Sequence, residues 1–368
     1  MANNLGQLIL TGIPGTTLDP QTARLINTID PGGYILFGRN IQSASQLRCL
    51  IDELRNASST EPIITIDQEG GRVSRLRLIG NEPPSAQQLR EKGSLELISR
   101  HGKLTGKLLR LFGFNLDLCP VLDFSPDDNA DNSLKGRCYG STIEQVIKNA
   151  TAFNTSLRGE GILSCGKHFP GYTYALCDAH EQLPIVERTR SEWEDNEAAP
   201  FKSLLPELDS IMVCHTHYPF IDPDRPRWPA SLSHNAINQL LRKDLGFNNG
   251  LVITDDLDMG AILNEVSFEQ TISNAINAGN DMVMICHRME MVQQAYKTLE
   301  TLNPSQVEPA LERVANAKVR LCPPSRFSIE EFDSLDAMVW DLRVDTLGEK
   351  RATERSAEDG KRSPVETY

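Results

Sequence analysis

The sequence predicts an α/β fold, a single (β/α)8 TIM-like barrel. Eight short apolar runs of strand length recur along the chain, and amphipathic stretches of helix length lie between them. Runs that are apolar on both faces and alternate with helices are typical of a parallel sheet covered by helices. Eight such units in roughly 290 residues favour a closed barrel over an open doubly wound sheet.

Each apolar run is followed by a polar segment rich in glycine or proline, which indicates a strand end. The stretches that follow, such as ASQLRCLIDELRNA (44–57), have helical amphipathicity, and several are followed by glycine, a frequent helix stop. The eight runs are QLILTGI (7–13), YILFG (34–38), PIITID (62–67), FNLDLCPV (114–121), GILSCGKH (161–168), SIMVCHTH (210–217), GLVITDD (250–256) and DMVMICH (281–287).

The chain after the eighth run is too short for a second α/β domain. We expect the barrel to occupy residues 1–325, with closing helices after the eighth run. The segment SIEEFDSLDAMVWDLR lies within residues 326–343 and predicts one further helix, packed through Met338, Val339 and Trp340. Residues 344–368 are charged, aromatic-poor and without apolar periodicity, which predicts a disordered tail.

Composition argues against several classes of partner. The chain has 368 residues with a net charge of -13, so it should repel phosphate backbones and anionic lipid surfaces. We therefore expect no nucleic acid and no membrane partner. The beginning of the chain lacks a signal-peptide pattern and no apolar run is long enough to span a bilayer, so we expect a cytoplasmic protein, and a monomer.

Eight scattered cysteines without a CxxC pair predict reduced thiols and no structural zinc site.

Polar side chains cluster at the ends of the predicted strands. Taken singly, an aspartate there is most often a helix cap, and a histidine most often a structural hydrogen bonder. In a barrel enzyme, however, these ends and the loops after them form the active site, so the residues should meet at one mouth. They are Asp67, Gln68, Glu69, Asp117, Asp123, Lys167, His168, His215, His217, Asp255 and Asp256.

Six motifs resemble the bacterial β-N-acetylhexosaminidases of glycoside hydrolase family 3, the NagZ type. The resemblance runs from about residue 5 to about residue 300, with the motifs in the family's order and at the expected barrel positions. The motifs are IDQEGGRVSRL (66–76), GRCYGS (136–141), GKHFPG (166–171), DAH (178–180), PASLS (229–233) and LVITDDLDM (251–259).

The resemblance implies a retaining exo-β-N-acetylglucosaminidase that acts on terminal N-acetylglucosamine, with peptidoglycan fragments in cell-wall recycling as the implied substrate. The family pattern assigns the nucleophile to Asp255, and its neighbour Asp256 should point away because adjacent strand residues face opposite sides. It assigns the acid/base to His180, oriented by Asp178. A histidine suits this role because its ordinary pKa lies near neutrality.

Five further positions match the family residues that bind the sugar: Asp67, Arg75, Arg137, Lys167 and His168. Charged donors and acceptors suit a polyol in a cleft because their hydrogen bonds are strong and directional. No cofactor and no metal is implied. Tyr172 and Thr173 replace the family's usual His-Gly, so the conformation of the loop that carries His180 stays open.

Four alternatives remain open at this point. Within the fold, a β-glucosidase or a β-N-acetylglucosaminide phosphorylase would use much the same residues. The phosphorylase is an alternative because a histidine acid/base, in place of an anionic one, tolerates phosphate as the acceptor. A metal-dependent amidohydrolase is suggested by His168, His180, His215 and His217, but its HxH pair should follow the first strand and here it follows the sixth. A catalytically inactive sugar-binding protein would lack the nucleophile or the dyad, and both are present in the sequence.

Overall fold

In the computed structural model, eight parallel strands close into a barrel, which confirms the predicted fold class. The structure describes residues 4–128, 132–175, 182–258, 262 and 266–356. Each strand pairs with the next along the chain, and the eighth returns to the first. The strands are β1 Ile9–Gly12, β2 Gly33–Leu36, β3 Ile63–Ile66, β4 Leu116–Asp117, β5 Leu163–Phe169, β6 Ser210–Val213, β7 Leu251–Asp256 and β8 Met282–Ile285.

The strands are buried on both faces, as their continuous apolar character requires. Every barrel-strand residue is buried except Asp255, which is partly exposed near the end of β7. Helices pack against the outside of the strands, and the inside is filled by side chains. Six apolar residues line the cavity at the carboxyl ends of the strands: Ile35, Phe37, Val73, Leu118, Met212 and Met284.

The helices begin and end where the sequence provides capping groups. Ser43 accepts a hydrogen bond from the backbone N–H of Gln46, and the Gln46 side chain bonds back, which fixes the start of Ala44–Ala57. The long helix Leu95–Phe112 ends at Gly113, whose φ of 101° suits glycine. The other helices of the barrel are Pro20–Ile29, Ala86–Lys92, Ile143–Gly159, Arg190–Asp195, Ala198–Leu204, the π-helix Asn235–Asp244, Phe268–Ala278, Met289–Leu299 and Pro304–Lys318.

A small antiparallel hairpin follows β3 and forms one wall of the site. Its strands are Gln68–Gly70 and Val73–Ser74, and a 3₁₀ turn, Arg75–Leu78, comes directly after it. The turn of the hairpin needs glycine, because Gly70 has a φ of 105° and an added Cβ would lie 2.4 Å from the carbonyl oxygen of Pro84. The hairpin places Asp67 and Arg75 at the same side of the barrel mouth.

The C-terminal helix is longer than the sequence predicts. It spans Ile329–Leu347 and packs against Leu95–Phe112, and a short helix, Glu349–Ala352, follows it. The boundary of the predicted tail therefore moves from residue 344 to beyond residue 356, because buried charged groups hold this part of the chain. The remaining tail, 357–368, lies outside the described residues.

The contacts of the C-terminal helix also differ from the prediction. Val339 is buried as expected, but Met338 is 40% exposed and Trp340 only partly buried. The packing face consists of Phe332, Leu335, Val339 and Leu342, which follow helical spacing.

The described helices include none that is long and apolar enough to cross a membrane. The seven cysteines within the described ranges are free thiols, and five of them are buried, which agrees with the predicted reduced state. Cys177 lies outside the described residues.

Candidate active site

A cavity of about 710 Å³, including its part open to solvent, lies at the carboxyl ends of the strands. A cleft at this end of a barrel is where such folds bind small ligands. Six of the eight residues predicted from the sequence line it together: Asp67, Arg75, Arg137, Lys167, His168 and Asp255. The other two, Asp178 and His180, lie outside the described residues.

The charged side chains of the cavity form one continuous chain of ion pairs. Arg75 Nη2 lies 3.4 Å from Asp67 Oδ2, and Asp67 Oδ1 accepts a 2.7 Å hydrogen bond from Lys167 Nζ. Lys167 also lies 2.7 Å from Glu69 Oε1. Glu69 accepts two hydrogen bonds from Arg137, at 2.7 and 2.8 Å, in the forked geometry that favours Arg-carboxylate pairs. Positive and negative groups therefore alternate along the wall.

The pKa values of these groups follow from that alternation. Burial by itself would raise the pKa of Asp67 and Glu69, but the neighbouring cations outweigh it and hold both pKa values below their usual range. Burial would likewise lower the pKa of Lys167 and Arg137, but the carboxylates raise both. All four groups are therefore charged near neutral pH, and each stabilises the charge of its neighbour.

His168 joins this chain to a buried aspartate, Asp123, which the sequence analysis placed at the mouth without a role. Its Nδ1 lies 2.7 Å from Asp123 Oδ2, and its Nε2 lies 3.2 Å from Arg137 Nη2. Because a guanidinium can only donate, Nε2 accepts and Nδ1 carries the proton, which it donates to Asp123. The ring is thus held in one orientation and one tautomer.

Two acids that the sequence analysis placed at the mouth without a role, Glu69 and Asp123, hold the predicted residues in place. Both lie just after predicted strands, which indicated their place at the mouth. Nothing in the sequence shows with which side chains they pair. A third strand-end acid, Asp117, is fully buried below the site, and its Oδ1 accepts from the backbone N–H of Gln68. Burial raises the pKa of Asp117 to about 8, so its protonated form prevails at neutral pH.

The two aspartates at the end of β7 differ in their contacts. Asp255 is partly exposed in the cavity, and its Oδ1 accepts a 2.8 Å hydrogen bond from the backbone N–H of Asp256. Asp256, which was expected to point away, is also among the residues that line the cavity. Its oxygens nevertheless bind protein groups: Oδ1 accepts from the backbone N–H groups of Cys286 and Asp258, and Oδ2 lies 3.3 Å from His287 Nε2.

The start of the loop that carries Asp178 and His180 is firmly attached to the barrel. The backbone N–H of Tyr172 donates to Asp123 Oδ1 at 2.6 Å. Thr173, one of the departures from the family pattern, accepts from the backbone N–H of Phe124 at 3.1 Å. The replacement of His-Gly by Tyr-Thr therefore supplies an additional buried hydrogen bond at the base of the loop.

One group in the described part of the chain has the composition of a metal site: Asp256, Cys286 and His287, with ligand atoms within 4.8 Å of one another. Arg39 Nη1 lies 3.0 Å from His287 Nδ1. Since the guanidinium donates to Nδ1, Nε2 carries the proton and faces Asp256. A metal at this place would have to displace that proton and lie beside the Arg39 cation.

The histidines that suggested an amidohydrolase bind separate partners. His215 bonds Ser231 Oγ and the carbonyl of Asp256, and His217 Nδ1 bonds the carbonyl of Trp228. Together with His168 on Asp123, they bind different partners, and none of the three belongs to the candidate metal group found among the described residues. This geometry does not support the amidohydrolase alternative.

The glycosyl hydrolase family 3 N-terminal domain model matches residues 1–317. Among curated relatives, a beta-hexosaminidase of Idiomarina loihiensis is 32% identical over 283 residues, which cover 76% of this chain and 83% of the relative. A beta-hexosaminidase of Bordetella avium is 30% identical over 337 residues, covering 89% of this chain and 91% of the relative.

Solved structures give the same result. A family 3 beta-N-acetylglucosaminidase from Paenibacillus sp. superposes with a TM-score of 0.85 at 28% identity, covering 93% of this chain and 68% of that one. NagZ from Neisseria gonorrhoeae, in a complex with zinc ion, superposes with a TM-score of 0.77 at 26% identity, covering 91% and 97%. The chain belongs to glycosyl hydrolase family 3.

Proposed function

We propose that this glycoside hydrolase is a retaining exo-β-N-acetylglucosaminidase that removes terminal N-acetylglucosamine. The observation that carries the proposal is that Asp255 lines the same cavity as all five predicted sugar-binding residues. A nucleophile and a set of polar groups around one cavity are what a retaining glycosidase requires. The names of the curated relatives, beta-hexosaminidase, support the choice of sugar.

In the proposed first step, a carboxylate oxygen of Asp255 forms a bond to the anomeric carbon while the bond from that carbon to the aglycone oxygen breaks. His180 gives its proton to the departing oxygen. In the second step His180 takes a proton from water, the water oxygen attacks the anomeric carbon, and Asp255 is released. Asp178 would hold the imidazole in the required tautomer and stabilise its protonated form.

The charged wall of the cavity suits an uncharged sugar. Lys167 and Arg137 offer N–H donors to hydroxyl and acetamido oxygens, and Asp67 offers an acceptor. Each of these groups is already oriented by an oppositely charged neighbour, so little reorganisation is needed when the sugar enters. Toward the barrel interior the cavity is lined by apolar side chains, against which the ring carbons of a sugar can pack.

The biological setting stays a prediction from the sequence. Glycan fragments that contain N-acetylglucosamine are the expected partners, and peptidoglycan fragments in cell-wall recycling the expected source. The net charge of -13 argues against nucleic acid as a partner. A cytoplasmic location and a monomeric state also stay predictions from the sequence.

The proposal is tested with nitrophenyl N-acetyl-β-glucosaminide and nitrophenyl β-glucoside as paired substrates. We expect strong preference for the acetamido sugar, and loss of turnover in Asp255→Ala with retention of the fold. Asp52→Asn, which alters a half-exposed aspartate paired with Arg48 on an outer helix, is the control and should behave as wild type. A 5-fluoro glycoside should label Asp255, as read by mass spectrometry.

Three outcomes would contradict the proposal. Preference for the glucoside would remove the acetamido assignment. A label on Asp256 or Asp123 would assign the nucleophile elsewhere. Release of a sugar phosphate when inorganic phosphate is added would favour the phosphorylase alternative.

A further inference from the structure

The loop that begins at Arg75 has few hydrogen bonds of its own. This segment, residues 75–84, is here called the Arg75 loop. Its 3₁₀ turn is closed by the backbone N–H groups of Ile79 and Gly80, which both donate to the carbonyl of Leu76. Leu78 within it is 49% exposed. Such a segment depends on its neighbours for a fixed position.

A buried carboxylate, Glu82, joins this loop to the C-terminal segment, residues 329–356. The Glu82 side chain is fully buried. Its Oε2 accepts from Arg77 at 3.1 Å, and its Oε1 accepts from Arg343 at 3.2 Å. The hydroxyl of Ser356 donates to Oε1 at 2.8 Å. One loop residue and two residues of the C-terminal segment therefore share a single anion.

Further contacts from the C-terminal segment bind the backbone of the loop. Arg355 donates to the carbonyl oxygens of Arg77 and Gly80 at 3.3 and 3.2 Å. Asp336 accepts from the backbone N–H of Asn81 at 2.6 Å and from its side-chain amide at 2.7 Å. The C-terminal segment thus satisfies polar groups of a loop that has little regular structure.

We propose that Glu82 and the C-terminal segment position Arg75 for sugar binding. Arg75 and Arg77 lie on the same 3₁₀ turn, so a shift of Arg77 moves the backbone from which Arg75 enters the cavity. Glu82 does not line the cavity, and it acts through Arg75 as a positioning residue. The proposal rests on the proposed function, which assigns Arg75 to the sugar. The C-terminal segment lies beyond residues 1–317, which the family model matches.

The test compares Glu82→Gln with Asp345→Asn. Glu82→Gln keeps the shape of the side chain and removes its charge. Asp345→Asn breaks an ion pair with Arg100 on the same C-terminal helix, at a half-exposed site away from the loop. We measure KM and kcat on nitrophenyl N-acetyl-β-glucosaminide, Ki for free N-acetylglucosamine, and the melting temperature.

For Glu82→Gln we expect Ki and KM to rise about tenfold, with kcat changed less than about twofold, because sugar binding loses an oriented donor. Asp345→Asn should leave Ki, KM and kcat unchanged. In the Arg75→Ala background, Glu82→Gln should add no further increase in Ki, because its effect passes through Arg75. Should Glu82→Gln not fold, Asp336→Ala, which removes the acceptor of Asn81 without stranding buried cations, should show the same rise in Ki.

A lower melting temperature with unchanged Ki in both Glu82→Gln and Asp336→Ala would overturn the proposal and leave these residues a purely structural role. An increase in Ki that persists in full in the Arg75→Ala background would overturn it as well. If Arg75→Ala alone leaves Ki unchanged, the assignment of Arg75 to the sugar fails, and the positioning role fails with it. If Arg75→Ala weakens binding and Glu82→Gln does not, only the positioning role fails.

Discussion

Removal of the charge on Glu69 should destabilise the protein strongly. Glu69 is 4% exposed and accepts both N–H groups of the forked Arg137 contact, while its Oε1 also lies 2.7 Å from Lys167. Glu69→Gln keeps the volume and removes the anion that two buried cations share. Loss of one partner from a buried ion pair costs about 3 to 5 kcal/mol, because the other charge is left uncompensated. We expect a loss in that range in the free energy of unfolding at pH 7.

The pH dependence of this loss has a definite sign. The Arg137 and Lys167 cations hold the pKa of Glu69 below its ordinary value of 4.5. A depressed carboxyl pKa contributes stability that is complete above the ordinary pKa and is lost as pH falls through the lower, folded-state pKa. The difference between wild type and Glu69→Gln should therefore be full at pH 7 and should shrink as pH falls below about 4.5.

Urea unfolding followed by circular dichroism at pH 7 and in acid measures both effects. Glu194→Gln is the matched control, because Glu194 pairs with Arg190 on a helix where both side chains are about half exposed. Its free energy of unfolding should match wild type. A loss below about 1 kcal/mol in Glu69→Gln would refute the view that buried pairing holds this wall together.

Two further predictions concern the acid/base and the buried acid below the site. His180→Ala should lower the rate of cleavage of a sugar-sugar bond roughly 10²- to 10⁴-fold, and should lower the pre-steady-state rate on a nitrophenyl glycoside much less. Asp178→Asn should show the same pattern with smaller losses. Equal losses of rate on both substrates would contradict proton transfer by His180. Burial raises the pKa of Asp117 to about 8, which costs stability as pH rises from its ordinary value of 3.8. Asp117→Asn, which mimics the protonated acid, should raise the free energy of unfolding by about 5 kcal/mol at pH 8 and by less than about 1 kcal/mol near pH 4. A pH-independent effect in urea unfolding would contradict this.

The fold could be predicted from the sequence because burial of a strand on both faces leaves a clear apolar run. Each of the eight runs overlaps one barrel strand, and only β2 and β5 extend one residue beyond their run. Even the two-residue β4, Leu116–Asp117, lies inside the predicted segment. The position of the site followed from the same pattern, since the carboxyl ends of parallel strands meet at one mouth. Lys167 and Asp255 were both placed correctly in the cavity by this argument.

Contacts between distant segments could not be predicted in the same way. The pairing of Glu69 with Arg137 and Lys167 depends on the closure of the barrel, which brings three strand ends together. No local pattern in the sequence indicates this pairing. The C-terminal segment shows the same limit more clearly. Its part beyond residue 343 has a composition typical of disorder, yet Arg355 there contacts the carbonyl of buried Arg77, more than 250 residues earlier in the chain. The composition of a segment indicates whether it would fold by itself, but it does not show which distant residues of the chain it contacts.

The charge balance of the cavity bears on the choice between hydrolysis and phosphorolysis. The chain of ion pairs contributes three cations, Arg75, Lys167 and Arg137, against the anions Asp67 and Glu69, while His168 is hydrogen-bonded to a further anion, Asp123. Arg72 also lines the cavity, so its described lining residues carry four cations, Arg72, Arg75, Arg137 and Lys167, against three carboxylates, Asp67, Asp255 and Asp256. An incoming phosphate dianion would therefore not be repelled by the lining as a whole, although Arg75, Lys167 and Arg137 are each already paired with a carboxylate. The choice between water and phosphate as acceptor is therefore decided by the measurement of sugar phosphate release when inorganic phosphate is added.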